Sequence, residues 1–174
     1  MELHKAIFHR RSIRSYKQKE VEDEKIELLL EAARWAPSAG NLQSVEYIIV
    51  KNKETREKLA KAAYNQGQII EAPVSIVVCC NMRKISPYGA RGKELYTLQE
   101  SGACIQNLML EAYSLGLGTC WIGAFDEAKV KEILKISDYT RPVAIITVGY
   151  PNEKPKSSRK DIKHSVFFEF YGKW

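Results

Sequence analysis

The sequence predicts a single domain in which helices and strands are mixed over one core. Segments with apolar residues at helical spacing alternate along the chain with short β-branched runs of strand length. No repeat, low-complexity stretch or linker divides the 174 residues, so one domain over 1–174 is expected. A chain of this size buries roughly 70% of the surface that its unfolded form exposes, which allows a substantial core.

The first half of the chain predicts three helices and one strand. In the second of these helices apolar residues recur at i, i+3, i+4 and i+7, and Asp23 is placed as its N-terminal cap. Pro37 ends this helix because the residue before a proline disfavours helical geometry. The predicted elements are a helix at 2–9, a helix at 23–36, a strand at 45–50 and a helix at 53–64.

The second half predicts two strands and two further helices around a long polar loop. The run from Val74 to Cys80 is apolar and nearly continuous, which is the pattern of a strand buried on both faces. Gly116 is suited to follow the longest helix, because helices often end in a left-handed glycine. The predicted elements are a strand at 74–80, a loop at 81–92, a helix at about 94–115, a helix at 126–135 and a strand at 142–150.

The end of the chain is aromatic. Phe167, Phe168, Phe170, Tyr171 and Trp174 follow a segment rich in proline, lysine and serine. Because so many aromatic side chains should not stay in water, we expect them to dock either on their own domain or on a partner subunit.

Charge and cysteine content narrow the classes of function. The net charge of +6 favours anionic ligands, but the charges are interspersed, so a nucleic-acid-binding stripe is not indicated. The four cysteines form no C-x-x-C pair and the three histidines are scattered, so neither a metal site nor a disulfide framework is expected. The cysteine usage, together with the lack of a signal-peptide core or a long apolar run, predicts a cytoplasmic protein that does not span a membrane.

The string Arg-Arg-Ser-Ile-Arg at 10–14 offers positive charge and a hydroxyl to an anion. Arginine binds phosphate through a planar fork of donors, and serine adds a hydroxyl group. If the segment is extended, side-chain alternation places Arg10, Ser12 and Arg14 on the same side. The alternative is a solvated basic end of the first helix, an interpretation that suits Arg11 best.

Two further strings offer main-chain donors on tight turns. Ala-Pro-Ser-Ala-Gly-Asn at 36–41 follows a helix, and the glycines at 116–123 let a ligand approach the backbone. Taken alone, the first string is a helix stop and turn, and the second is a buried strand and turn with Trp121 in the core. Because the sequence shows no nucleophile arrangement or metal cluster, we expect the demanding chemistry to rest with a bound cofactor.

Together these strings resemble the nitroreductase family of FMN-dependent oxidoreductases over nearly the whole chain. The resemblance is carried by RRSIR at 10–14, APSAGNLQ at 36–43, APVSIVV at 72–78, QN at 106–107, GLGTCWIG at 116–123, VGYP at 148–151 and Arg159. It implies an α+β fold with a mixed, mainly antiparallel central sheet flanked by helices. It also implies a homodimer with two FMN molecules at the interface, of which this chain is a compact member.

The resemblance further implies which residues bind the nucleotide end of FMN. Arg10 and Ser12 would bind the phosphate, with Arg11 as an additional candidate, and Arg159 would close on it. Arg14 would lie near the edge of the ring, where its positive charge would stabilise an anionic reduced flavin.

Around the flavin ring the resemblance implies an amide, a row of main-chain N–H groups and a turn from the other subunit. Either Asn65 or Gln66 would face the pyrimidine edge, and N–H groups at 121–124 would face the N5 and O4 atoms. Where the family commonly has Pro-Trp after the glutamine of the turn, Ser44 and Val45 stand here, which leaves the aromatic lining of the acceptor pocket open. The implied residues are Pro37, Ser38, Ala39, Asn41, Asn65, Gln66, Trp121, Ile122, Gly123 and Ala124.

The activity implied by the resemblance is ping-pong hydride transfer. NADH or NADPH would reduce the flavin, and a small-molecule acceptor, such as a nitroaromatic or a quinone, would then be reduced, with no catalytic side chain required. The loop at 81–92 would either cover the site and meet the phosphates of the nicotinamide cofactor, or be a solvated charged loop. Two alternatives stay open: a related flavin scaffold that destroys flavin or removes halogen reductively, and a basic module that binds nucleic acid.

Overall fold

The computed structural model describes residues 2–172, and its centre is a four-stranded antiparallel sheet. The strands are β1 Val45–Val50, β2 Val74–Asn81, β3 Gly118–Ile122 and β4 Thr140–Gly149, in the order β1-β2-β4-β3. All three pairs of neighbouring strands are antiparallel, and a parallel element enters through a bridge between Ser12 and Thr119. The predicted sheet is therefore confirmed.

Helices cover both faces of this sheet. They are α1 Leu3–His9, α2 Asp23–Arg34, α3 Lys53–Ala62, α4 Gln68–Glu71, α5 Gly89–Arg91, α6 Thr97–Ser114 and α7 Glu127–Leu134. Successive side chains along the strands point to opposite faces of the sheet and so enter two apolar cores. Ile76 and Ile146 pack with α2 and α6, whereas Val77 and Ile145 pack with α3 and α7. Strand β2 is buried along its whole length, as its continuous apolar run predicts.

The N-terminal cap of α2 and the end of α3 differ from the prediction. The cap of α2 is Glu22 and not Asp23, whose carboxylate pairs with Lys51 instead. Helix α3 ends at Ala62, two residues early, because Tyr64 and the residue after it adopt φ values of 57° and 62°.

The segment 81–92 is a loop only in its first part. Ser86–Tyr88 forms a 3₁₀ turn, α5 follows directly, and a π-helical turn at Gly92–Tyr96 leads into α6. Gly92 permits this compact path, because a Cβ at that position would lie 2.7 Å from the Cβ of Tyr88.

Much of the described part of the aromatic tail is exposed on this chain. The exposed fractions of Phe168, Phe170 and Tyr171 are 69%, 61% and 93%, so docking on a partner subunit stays a prediction. Trp174 lies outside the described residues. Within 2–172, no helix combines the length and the apolar character that a membrane crossing needs, and no group of metal-binding side chains is found.

Candidate functional site

The segment that carries the three arginines runs beside the start of β3. The N–H of Ile13 donates to the carbonyl of Thr119 at 2.9 Å, and the Ile13 side chain is 7% exposed. It packs on Gly118, where a Cβ would come within 2.7 Å of it. Because Ile13 points inward, the alternation of an extended chain turns Ser12 and Arg14 outward, as the sequence predicts. The missing side chain of Gly118 therefore makes room for the side chain of Ile13.

Arg10 is an unusual cation because part of its guanidinium is buried without an acceptor. Its Nε atom is buried and has no hydrogen-bond partner among the described residues. Burial lowers the pKa of Arg10, and the neighbouring charges of Arg159 and Arg11 lower it further. Three mutually repelling cations with an unsatisfied donor form a site that an anion would stabilise.

A cavity of about 400 Å³ opens beside Arg10. Its walls include Tyr113 at the end of α6, Gly118 on β3, and Glu153 and Lys154 from the segment after β4. The Glu153 carboxylate already accepts main-chain N–H bonds from residues 14 and 15. The cavity therefore offers an anion both cationic donors and apolar walls.

The two other cations near Arg10, which are Arg11 and Arg159, differ in their hydrogen-bond partners. Arg11 donates to the carbonyls of Phe8 and Arg10, both at 2.8 Å, which is the helix-capping role that its alternative interpretation foresaw. Arg11 also reaches the carbonyl of Ser157 at 3.4 Å, and so holds the tail beside the arginine segment. Arg159 is exposed and contacts its neighbouring serines.

The outer edge of β3 offers main-chain donors beyond the bridge at Ser12. Strand β3 is the last strand of the sheet, and the carbonyl of Thr119 points away from β4 toward residue 13. The alternation of an antiparallel strand directs the N–H group of Trp121 the same way, and Gly123 follows directly after the strand. A Cβ at Gly123 would meet no atom within 4 Å, so this edge is open. Trp121 is 43% exposed while Ile122 is buried, and the interpretation of Trp121 as a core residue is wrong.

The structure separates the two candidate amides. Gln66 donates from its side chain to the carbonyls of Ala63 at 3.0 Å and Ala124 at 2.9 Å, so it ties its turn to the end of β3. Asn65 is exposed, adopts a left-handed φ of 62°, and its side chain makes no hydrogen bond to the rest of the described chain. Asn65 is therefore the amide that is available to a ligand.

The turn at 37–43 is shaped by left-handed backbone and by its own polar side chains. Gly40, Asn41 and Gln43 have φ values of 55°, 56° and 49°. The Ser38 hydroxyl accepts from the N–H of Gln43 at 3.2 Å, and the Gln43 amide donates to Asn41 at 3.0 Å. Pro37, Ser38 and Ala39 are then presented on one wall of a separate cavity of about 260 Å³.

Sequence reasoning missed the residue that anchors this turn. Glu100 on α6 is 4% exposed, and its carboxylate accepts from the hydroxyl of Ser44 at 2.7 Å and from the N–H of Val45 at 3.2 Å. Its position four residues before Cys104, on the apolar stripe of α6, is the signal that would have identified it.

The predicted site residues fall into two groups within one chain. The turn at 37–39 lies beside Glu100 near the start of α6, whereas the Arg10 cavity includes Tyr113 at the end of that helix. These helix positions are about 20 Å apart at 1.5 Å per residue. Within one chain, the arginine segment and the turn therefore line separate cavities.

The cysteines offer no alternative chemistry. All four thiols are free and buried. Burial is the main factor that raises the pKa of Cys79 to about 12 and of Cys80 to about 11. Such thiols stay protonated at neutral pH and are poor nucleophiles.

Comparison with known proteins identifies relatives along most of the chain. The model of the nitroreductase family matches residues 7–78 and 62–150. A protein of Methanothermobacter thermautotrophicus is 34% identical over 161 residues, which cover 89% of this chain and 80% of that protein. The NADPH-flavin oxidoreductase of Vibrio harveyi is 30% identical over 171 residues, which cover 94% of this chain and 71% of the relative.

Solved structures share the architecture. NfrA2 of B. megaterium superimposes with a TM-score of 0.92 at 28% identity, covering 98% of this chain and 76% of its own. The NADPH:FMN oxidoreductase of Vibrio harveyi, solved in complex with NAD⁺, gives a TM-score of 0.91 at 25% identity, covering 99% of this chain and 79% of its own. The family match extends over both the arginine segment and the β3 edge, and the chain belongs to the nitroreductase family.

Proposed function

We propose that this protein is an FMN-dependent NAD(P)H oxidoreductase that acts as a homodimer and reduces a nitroaromatic or quinone-like acceptor. The observation that carries the proposal is the buried, unpartnered Nε of Arg10, placed beside Arg159 at the start of the open edge of β3. Relatives named as NAD(P)H-dependent FMN reductase and NADPH-flavin oxidoreductase support the choice of cofactor and reductant.

The phosphate of FMN fits the arginine segment. It would accept from the unsatisfied guanidinium of Arg10 and the outward hydroxyl of Ser12, and its charge would relieve the repulsion between Arg10 and Arg159. Arg11 contributes mainly by holding Ser157, and with it the tail that carries Arg159.

The ring fits the remainder of the β3 edge. The N–H groups of Trp121 and Gly123 would donate to its polar edge, the Asn65 amide would complete that edge, and Arg14 would supply positive charge. When bound, FMN supplies a ring that accepts a hydride from NADH or NADPH and passes it to the acceptor. The residues of the chain bind this ring, orient it and favour its reduced, anionic form.

The second subunit supplies the turn at 37–39. Because this turn and the Arg10 cavity lie at opposite ends of α6, the turn cannot cover a flavin bound by its own chain at Arg10. A second copy related by two-fold symmetry would bring its own turn to that flavin, and the first would return the contact.

The test compares FMN with riboflavin, which lacks the phosphate. Removing a charge-assisted hydrogen bond costs roughly 1.5–3 kcal/mol, so Arg10→Ala should weaken FMN binding about 10- to 100-fold in a fluorescence titration. Riboflavin binding should change less than about twofold, because its ring contacts remain. Arg83→Ala, which changes a cation stacked on Tyr139, serves as the control. Equal losses for both ligands, or none for either, would contradict the phosphate role of Arg10.

A further inference from the structure

A cluster of two tyrosines and an arginine stands beside the turn at 37–43. The hydroxyl of Tyr88 would lie 2.6 Å from a Cβ at Gly40, so Tyr88 packs directly on that turn. The rings of Tyr88 and Tyr96 meet edge to face, with centroids 5.5 Å apart and planes inclined by 77°. Arg91 donates from Nε to the Tyr96 hydroxyl at 3.1 Å. The connection between β2 and α6 thus places a fixed aromatic pair and a cation next to the turn.

Tyr96 also forms a wall of the cavity behind the turn. This cavity of about 260 Å³ is bounded by Pro37, Ser38, Ala39, Tyr96, Gln99 and Ala103, together with Glu100. Whole ligand sites commonly occupy roughly 300–1,000 Å³, so the cavity suits one end of a ligand whose remainder rests on another surface. Tyr96 therefore joins the cavity to the guanidinium of Arg91.

Arg91 differs from Arg83 and Lys84 of the same connection. Lys84 pairs with Glu46 at 3.1 Å, and Arg83 stacks on Tyr139 at 3.8 Å. Among the described residues Arg91 has no carboxylate within ion-pair distance, and the Tyr96 hydroxyl engages only its Nε. Its two terminal nitrogens keep a planar pair of donors that matches a carboxylate.

We propose that Arg91 and Tyr96 select the acceptor, and that the preferred acceptor is a planar aromatic compound with a carboxylate or sulfonate substituent. The inference rests on the proposed function, in which the turn at 37–39 lies against the flavin of the partner subunit. The aromatic ring of the acceptor lies between the flavin and the Tyr96 wall, and Arg91 binds its anionic group. Tyr96 thereby occupies the lining role left open by Ser44 and Val45.

The test uses two acceptors of matched shape, 4-nitrobenzoate and 4-nitrobenzamide, with the FMN-loaded enzyme and NADH or NADPH. Arg91→Gln should lower kcat/KM for 4-nitrobenzoate about tenfold and change that for 4-nitrobenzamide less than about twofold. Tyr96→Phe keeps the ring but removes the hydroxyl that orients Arg91, so it should lower kcat/KM for the benzoate by about three- to fivefold. Arg83→Gln removes the same net charge from the same connection and should leave the ratio of kcat/KM for the two acceptors unchanged, because Arg83 stacks on Tyr139 and any effect on the nicotinamide cofactor is shared by both acceptors.

The outcomes separate this inference from the proposed function. If the wild-type enzyme oxidises NAD(P)H with either acceptor and Arg91→Gln leaves the preference for the benzoate unchanged, the role of Arg91 is overturned and the proposed function is not. An equal loss in Arg91→Gln and Arg83→Gln also overturns it, because net charge would then explain the preference. A wild-type protein that binds no FMN and oxidises neither NADH nor NADPH overturns both proposals.

Discussion

Glu100 provides the sharpest test of how the turn at 37–43 is held. Its carboxylate is 4% exposed and accepts from the fully buried hydroxyl of Ser44 and from the N–H of Val45. Glu100→Ala removes both acceptors and leaves two buried donors unsatisfied. Glu100→Gln keeps the size of the side chain, and its amide can accept from Val45 while it donates to the Ser44 oxygen.

The magnitude follows from these two hydrogen bonds. A hydrogen bond to a charged group contributes roughly 1.5–3 kcal/mol, and removing the carboxylate also removes its own cost of burial. We therefore expect Glu100→Ala to lower the free energy of unfolding by about 3 kcal/mol, and Glu100→Gln by about 1 kcal/mol. For a chain of this length each kcal/mol shifts Tm by about 2–4 °C, so the alanine variant should melt about 6–12 °C early.

The assay is thermal unfolding at one fixed protein concentration, since association also affects Tm. Glu94→Ala is the control, because Glu94 is exposed on the turn that precedes α6. An alanine variant that melts within about 1 °C of the wild type would refute the anchoring role. Equal losses in the alanine and glutamine variants would show that the charge, and not the pair of hydrogen bonds, holds the turn.

Three further predictions address the interface, the core and the pH dependence. Ser38→Trp should greatly weaken FMN binding while Ser38→Ala changes it little, as measured by fluorescence titration; a tryptophan variant with full FMN affinity would contradict the placement of the turn against the partner's flavin. No residue within 2–172 offers the buried Ser75 hydroxyl a hydrogen-bond partner, so Ser75→Ala should raise the free energy of unfolding in urea by about 1 kcal/mol, and a loss of stability would reveal a hidden partner. Burial raises the pKa of the Cys79 thiol from 9.0 to about 12, so the unfolded chain releases this proton at a lower pH than the folded chain does. The stability that the buried, protonated thiol contributes is therefore fully present below pH 9 and is lost as the pH rises toward 12. The free energy of unfolding in urea should be lower at pH 10 than at pH 8, and Cys79→Ala should make this difference smaller. A difference that stays the same in that variant would count against the buried thiol as its cause.

The amino-acid sequence determined three of the four strands and the main helices because each depends on a local pattern, whereas β3 was indicated only by the alternative interpretation of the string at 116–123. Strand β2 follows from its continuous β-branched run, and the end of α6 follows from Gly116, whose φ of 77° suits a glycine. The helical turns at 86–92 escaped prediction because they depend on the packing of Gly92 against Tyr88 and Ile85, which no periodic pattern indicates.

The residues of the candidate site also fall into those that the sequence could indicate and those that only the folded structure identifies. The arginines at 10–14 could be recognised from charge and alternation, and the glycine strings from the backbone freedom they provide. Only the tertiary structure decided that Glu100 anchors the turn and that Gln66 is hydrogen-bonded, while the Arg10 donor and the Asn65 amide find no partner in the described part of the chain. Each of these depends on which atoms from distant parts of the chain meet in the folded protein, and no local pattern contains that information.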